Sequence, residues 1–468
     1  MKKFLLLLIL ASSFSFSQQD SVQKKFSENP FSVDSLKLKV KDIIISGNEV
    51  TKDEIILREM NLKPGKYFTI EKYSKDLQNI YNLGLFNKVD IYPIPVESKQ
   101  IMLNIDVNER WYILPLPSGG IEDGEFKKVW AGINLRWDNF RGRNESVNLG
   151  FRLFYNPSVS LSYYVPWIGE KLHLFTNVGG SWSRSRNKSL TAVGKENGSG
   201  TITFSDENYE NTSYSANLQL GKYFFKQLGI YTRVRYNYLS VNEYKTGRTV
   251  SSTGIDKYYS LGGGFTFDNR DIKEYATKGF QFDISANRYS YFNSKVDFYK
   301  FRLESQSFLP LNFNKDYYIT IASRIVTALA SGESIPFYHR ELLGYSDEYV
   351  RGWKSVAFEG DNILTAYNEI RIPVISPRYI DAKNILLVRD MPILKKMSLR
   401  HGLYFTLTYD VGTAWDKSES IAKQRFLSGA GIGINFIAPF GYVLRLDWTA
   451  RLNKPVIGQI NFSTRAKF

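Results

Sequence analysis

The chain has 468 residues, no cysteine and three well-separated histidines, His173, His339 and His401. Disulfides, thiol catalysis and cysteine metal sites are therefore excluded, and no histidine cluster offers a metal or cofactor site. The formal net charge is +15, but the lysines and arginines are dispersed rather than run together, so they suit anionic head groups or acidic partners and not nucleic acid.

In chain order, Lys2 and Lys3 precede an apolar run, Phe4 to Ala11. The run is too short to span a bilayer but suits the core of a signal peptide. Ser15 and Ser17 flank Phe16, which predicts a signal over 1–17 with cleavage after Ser17. Residues 18–37 are rich in Ser, Gln and Lys and read as a polar linker. After the signal, no apolar stretch approaches the ~18 residues of a transmembrane helix.

The texture changes at Lys39. Val40 and Ile43–Ile45 form a strand that ends at a Ser46-Gly47-Asn48 turn. Thr51 and Glu54 predict a capping box opening a helix through Ile55, Ile56 and Met60. A second helix from about Ile70 places Tyr73, Leu77, Ile80 and Tyr81 on one face and stops at Gly84. Two strands follow, Val89 to Pro95 and Ile101 to Val107, so residues 38–110 form a β-α-α-β-β module. Gly47 permits a tight turn, Gly84 a left-handed helix end, and Phe86 is expected to plug helices onto sheet. The string Gly47-Asn48, Gly65, Tyr81-x-Leu83-Gly84-x-Phe86 and Val107-x-Glu109 resembles a polypeptide-transport-associated (POTRA) domain.

The 358 residues from Trp111 to Phe468 carry sixteen alternating segments separated by turn signals. That spacing fits strands of ~10 residues joined by short turns and longer loops. Clear examples are Val129–Asp138, Tyr231–Leu239, Phe280–Asn287, Val296–Phe308, Ile363–Ile372, Leu403–Val411, Leu427–Phe436 and Tyr442–Arg451. Aromatic residues make up 15% of the chain, which suits interfacial girdles. Arg233 and Arg235, Lys300, Arg302 and Glu304, Glu369 and Arg371, and Arg445 and Asp447 alternate with apolar residues. A lipid-facing charge costs about 2–4 kcal/mol at the midplane, so these positions are expected to face a lumen filled by salt bridges. The expected fold class is mainly β: a 16-stranded antiparallel transmembrane β-barrel over 111–468, preceded by one POTRA domain. In the last segment Ile460, Phe462 and Phe468 share one face, and its aromatic end is similar to that of bacterial outer-membrane proteins.

Four strings within the barrel resemble the BamA/TamA-type outer-membrane assembly factors. The first, Val350-Arg351-Gly352-Trp353, lies in the loop between the eleventh and twelfth strands. The second is Asn368-Glu369-x-Arg371-x-Pro373. The third is Tyr409-Asp410-x-Gly412-x-x-Trp415. The fourth is Asp268-Asn269-Arg270-Asp271 with Thr277-Lys278-Gly279, a turn between the eighth and ninth strands. The resemblance implies that the first string folds into the lumen with Arg351 salt-bridged to the wall. Parity makes Asp410 point inward, and Asp410 and Glu369 are the carboxylates available to Arg351.

The opening segment, Trp111 to Pro117, contains Pro115 and Pro117, neither of which can donate to a ladder. A seam between this segment and Gln459–Phe468 that opens sideways is the expectation. Residues 374–400 read as an insertion where a short periplasmic turn belongs, a partner contact or lumen cover. The resemblance implies insertion or translocation of unfolded outer-membrane or secreted clients, without a cofactor and without enzymatic activity, by an outer-membrane protein whose POTRA domain lies in the periplasm. Periplasmic or lipoprotein subunits would bind through the POTRA domain and residues 374–400, and outer-membrane lipids would surround the barrel. One POTRA domain leaves open an accessory, two-partner secretion or lipid-export role. The rivals are an outer-membrane lipase or protease, against which stands the lack of a G-x-S-x-G elbow, and a passive pore.

Overall fold

The structure, a computed structural model, describes residues 37–463 apart from 122–125, 170–171, 187–209, 226, 245–247, 291–294, 315–316, 345–347, 355, 357, 382–397, 439–441 and 453–457. The expected signal and linker, and Phe468, lie outside these residues.

Two compact units result, the smaller drawn from segments up to Val107 and the larger from Asn108 onward together with 48–55 and 81–88. The N-terminal module contains β1 (Lys39–Ser46), α1 (Asp53–Leu57), α2 (Ile70–Tyr81), β2 (Phe86–Glu97) and β3 (Gln100–Glu109). Its sheet has the order β1-β3-β2, with β1 and β3 parallel. Gly47 has φ 83° and Gly84 φ 68°, the backbone region glycine adopts at no steric cost. Phe86 is buried, and Asn48 donates to the Thr51 carbonyl and to Asp53. The helix expected from Thr51 to Met60 is shorter than its pattern. Thr51 donates its hydroxyl and its N–H to Glu109 Oε1, at 2.5 and 2.7 Å, so a distant carboxylate takes the group that would have capped the helix. On α2 the unexpected buried residue is Asp76, which accepts from the N–H groups of Asn61 and Leu62 and from the Asn61 amide. A carboxylate on the inner face is tolerable because three donors meet it.

The larger unit holds a 16-stranded antiparallel sheet. Its strands are β4 (Ile113–Ile121), β5 (Val129–Phe140), β6 (Glu145–Phe154), β7 (Ser158–Ile168), β8 (Leu174–Arg186), β9 (Glu210–Phe225), β10 (Leu228–Val241), β11 (Ile255–Asp268), β12 (Gly279–Ser290), β13 (Asp297–Asn312), β14 (Tyr318–Ser334), β17 (Asn362–Asp381), β18 (Ser398–Trp415), β19 (Leu427–Ala438), β20 (Tyr442–Arg451) and β21 (Gly458–Ser463). Between β14 and β17 a small hairpin forms from β15 (Glu341–Leu343) and β16 (Phe358–Gly360). Outward positions carry exposed apolar side chains all round the sheet, among them Ile133, Phe151, Leu218, Leu261, Ile325 and Ile432. Such a band is a liability in water and the expected lipid face of a barrel. No helix of the described residues is long and apolar enough to cross a membrane.

Two sequence expectations need correction. The first barrel strand is Ile113–Ile121, so Trp111 precedes it while Gly119 and Gly120 belong to it. The insertion expected at 374–400 starts later, because β17 runs on to Asp381 and β18 begins at Ser398. β17 contains Pro373 and Pro377, and register shifts at Pro373/Ile375 and Ile375/Arg378 absorb them, so that the pairing with β18 resumes. What remains of the insertion, 382–397, lies outside the described residues.

Candidate functional site: the lumen loop and the barrel seam

The connection from β14 to β17 folds against the inner wall. Val350, Trp353, Val356 and Leu343 pack with Leu427 of β19 in one buried cluster. The Trp353 indole donates to the Ser428 carbonyl at 2.9 Å, and Arg451 stacks on the Trp353 ring while donating to the Gly352 carbonyl. Gly352 has φ 87°, and a Cβ there would lie 2.9 Å from the Ala450 carbonyl carbon. A Cβ on Gly412 would lie 3.0 Å from Val350 Cγ2, so a bare backbone on β18 makes room for the loop.

Arg351 is 1% exposed and sits at the centre of the site. Its Nη2 and Nε donate to the two Asp410 oxygens at 2.5 and 2.6 Å, and its backbone N–H donates to Asp410 Oδ2 at 3.1 Å. Nη1 reaches Glu369 Oε1 at 2.9 Å. Glu369 also meets Arg371 at 2.9 Å and Arg445 at 3.2 Å, and Arg445 meets Asp447 at 2.7 Å. Three guanidinium groups thus face three carboxylates in a buried, neutral network, and Arg351 forms the bidentate fork that a carboxylate accepts best. Arg371 donates in turn to the Ala276 carbonyl and lies 4.1 Å from the centre of the Tyr275 ring. The turn carrying the Asp268–Gly279 string is therefore no simple hairpin: it sends Tyr275 and Ala276 inward beneath the network.

At the sheet margin, β4 and β21 are the two edges, and no pairing joins them among the described residues. Asp138 donates its N–H to the Tyr112 carbonyl at 2.8 Å, and the register pairs Leu114 with Arg136 and Leu116 with Asn134. In an antiparallel pair the hydrogen-bonding groups alternate between the two sides of a strand. The even-numbered residues of β4 therefore bond to β5, and Pro115 and Pro117 turn their nitrogens to the free edge. Both prolines are exposed. They cost the β4–β5 ladder nothing and remove two donors from the seam alone. Phe462 lies on β21, and Trp111, beside the start of β4, is exposed.

Comparison with known proteins supplies the family. A profile described as the Omp85 superfamily domain matches residues 139–464, and one described as POTRA, surface antigen variable number repeat, matches 38–110. The chain belongs to the Omp85 superfamily. The outer membrane protein assembly factor BamA of Neisseria meningitidis is 24% identical over 358 residues, covering 71% of this chain and 42% of that protein. The chain thus spans less than half the length of that relative, and the other curated relatives are matched over smaller shares. Among solved structures, BamA from Haemophilus ducreyi lacking POTRA domains 1–3 has a TM-score of 0.52 at 16% identity, covering 91% of this chain and 83% of that one. CdiB from Escherichia coli has a TM-score of 0.56 at 12% identity, covering 92% of this chain and 75% of that one. Those likenesses show the fold. The protein is an outer-membrane β-barrel with its POTRA domain in the periplasm.

In this Omp85 barrel a second anchor accompanies Arg351, and sequence reading missed it. Glu348, three residues upstream, accepts from Arg324 Nη2 at 2.8 Å and Nη1 at 3.1 Å, from Tyr367 at 2.8 Å and from Arg302 at 3.3 Å. Arg324 also meets Glu304 at 2.9 Å. Two charges of opposite sign three residues apart thus anchor this part of the loop, Glu348 held by Arg302 of β13 and Arg324 of β14, and Arg351 by Glu369 of β17 and Asp410 of β18. The signal was present: Arg324 alternates with the outward Ile321 and Ile325 and shares the inward parity of Ala322 and Val326, the same argument that marked Arg302 and Glu304.

Proposed function

We propose that this Omp85 protein inserts or translocates β-rich outer-membrane clients through the seam between β4 and β21, acting as a specialised or accessory member of its family. The observation that carries this reading is the placement of Pro115 and Pro117, which strip donors from the seam and from no other ladder. In hydrocarbon every main-chain polar group needs a protein partner, so a donor-poor seam is the weakest line in the wall. An extended client strand can satisfy such an edge by main-chain pairing. The lumen loop, locked by Arg351 and Glu348, fixes the wall against which the seam moves and obstructs passive flow. Accessory subunits would dock on the POTRA domain and on the segment between β17 and β18.

The test uses the natural absence of cysteine. Cysteine pairs scanned between 113–121 and 458–463 are expected to lock the seam, keep the barrel folded on gels, and abolish insertion of an unfolded barrel protein into liposomes. Full insertion by a verified locked form would refute the seam. If the locked form instead still passed an extended secreted chain through its lumen, the two-partner secretion role would replace insertion.

A further inference from the structure

We infer that the turn between β11 and β12 is a second plug, which closes the charged side of the lumen at the periplasmic mouth, opposite the lumen loop. The two sides follow from strand direction. β4 leaves the periplasmic POTRA domain, and the antiparallel strands of the sheet alternate in direction from there. The β11–β12 turn therefore lies on the periplasmic side and the β14–β17 loop on the other. This plug belongs to the lumen and is independent of the seam.

The turn is built to hold one shape. Asn269 and Asp271 donate their N–H groups to the Phe280 and Lys278 carbonyls at 3.1 and 3.0 Å. The Asp271 carboxylate accepts from the N–H groups of Ile272, Thr277 and Lys278 and from the Thr277 hydroxyl. A carboxylate with that many donors fixes a segment that no ladder supports. Arg270 forks onto the two Asp268 oxygens at 2.9 Å and donates to Gln306 of β13 at 3.0 Å. Gly279 has φ 101°, and a Cβ there would lie 2.7 Å from the Asn269 carbonyl oxygen. The string Asp268–Asp271 with Thr277–Gly279 is thus a base, and Ile272–Ala276 is the knuckle it raises.

That knuckle reaches across the mouth. Tyr275 is 1% exposed, accepts from the Asn435 amide of β19 at 2.8 Å, and packs with Tyr404 of β18, Ile437 and Val443. Glu274 meets Arg400 of β18 at 3.1 Å. Ala276 is buried in one cluster with Phe308, Ala322 and Tyr367. The turn passes β13, β14 and β17 to end on β18 and β19, far beyond its own hairpin.

Inward residues of β18 give the depth. Asp410, Thr408, Thr406 and Tyr404 follow one another toward the periplasm, from the Arg351 fork at one end to the Tyr275 ring at the other. Thr408 and Thr406 between them are buried, as are Thr320 of β14 and Thr449 of β20. On the neutral side, Ser160 and Ser181 are exposed residues. Inward hydroxyls differ in this way because the first group is covered from outside by the lumen loop and from below by the turn. The two plugs meet on one side chain. Glu369 accepts from Arg351 on Oε1 and from Arg371 on Oε2, and Arg371 carries the Ala276 carbonyl and the Tyr275 ring. Shielding from the periplasm keeps these pairs in a low dielectric, where they are strongest.

The natural lack of cysteine allows a direct test. Thr406→Cys between the plugs and Ser160→Cys on the neutral side are each placed in the full chain, folded in detergent micelles, and treated with a charged methanethiosulfonate. Ser160→Cys is expected to react quickly and Thr406→Cys about tenfold or more slowly, since the latter must wait for local opening. Adding Tyr275→Ala should speed Thr406→Cys by about tenfold and leave Ser160→Cys unchanged. Tyr275→Phe keeps the ring on Arg371 and loses only the bond from Asn435, so its effect should be smaller in the same direction; it decides the matter if Tyr275→Ala gives no folded band on unheated gels. Unchanged labelling of Thr406→Cys in the folded turn variant, a rise at both cysteines, or equal labelling of the two with the turn intact overturns the inference.

Discussion

From β5 to β9 many inward positions are small and neutral, including Asn134, Asn148, Ser160, Ser162, Ser215 and Asn217, around a cavity of about 320 Å³ that Arg136 also lines. From β13 to β20 the inward positions include the linked charges of Glu304, Arg324, Glu369, Asp410 and Arg445, and the lumen loop is packed on them. Hydroxyls and amides on the first wall can meet water on their own. The guanidinium and carboxylate groups of the second cannot be buried singly and must be placed as sets. One wall is thus adaptable and the other fixed by charge. The seam lies where they meet, β4 continuing the neutral wall and β21 the charged one.

The largest expected break in that contrast is Arg351→Ala. It leaves Asp410 and Glu369 buried with one fewer cation, and losing one member of a buried ion pair costs about 3–5 kcal/mol. The folded band on unheated gels should disappear at a lower temperature than in wild type. Asn134→Ala on the neutral wall should stay within about 0.5 kcal/mol. Equal effects would mean that charge does not distinguish the walls.

Glu348→Gln is the next. Arg324 keeps Glu304 as a partner, so the loss should be smaller, about 1.5–3 kcal/mol for a hydrogen bond to a charged group. Glu348→Asp keeps the charge with a shorter reach and should lose less than Glu348→Gln, measured by the same thermal shift. Equal losses for the two would show that Glu348 acts only through packing.

Much of this was legible in the sequence, for reasons that particular residues illustrate. Alternation exposed the inward parity of Glu369, Arg371 and Asp410, because a period of two is imposed by the strand itself. Arg351 could be matched with them because a buried charge restricts its partners to few carboxylates. Glu348 was missed because it lies in an irregular loop, where no period tells inside from outside. The end of β17 was misjudged because Pro373 usually closes a strand, and a bulge that carries the ladder past it leaves no local mark. Thr51 was assigned to a helix cap because Glu109, its true partner, is 58 residues away.

A glycine in each wall gives a finer comparison. A Cβ on Gly433 would lie 2.1 Å from Asp447 Oδ1, and Asp447 is held by Arg445 at 2.7 Å. A Cβ on Gly150 would lie 2.6 Å from Ser160 Oγ and 2.9 Å from Asn134 Oδ1, the ends of two polar side chains that line the cavity and can turn into it. Gly433→Ala should therefore cost about 1–3 kcal/mol by overpacking, and Gly150→Ala under about 0.5 kcal/mol. Similar thermal shifts for the two would mean the neutral wall is as rigid as the charged one.

The most local effect, absent at neutral pH, concerns the outer part of the same loop. His339 lies in a short turn, Phe337–His339, among the rings of Tyr258, Tyr289, Phe298 and Tyr338, with its Nε2 2.6 Å from the Tyr258 hydroxyl. Burial, reinforced by Lys300 and Arg235, lowers its pKa to about 3. An unfolded His339 would take up a proton near pH 6.5, so between about 6.5 and 3 the unfolded loop binds more protons than the folded one. Stability from this residue is complete above about pH 6.5 and falls as the pH drops, by at most about 1.4 kcal/mol per pH unit. His339→Gln can keep a hydrogen bond to Tyr258 without titrating, and should flatten this part of the pH profile. Hydrogen exchange in residues 337–343, compared for the two proteins at pH 7 and pH 5, reads the difference. If exchange rises equally in both on acidification, protonation elsewhere loosens the loop, and the aromatic setting of His339 plays no part in it.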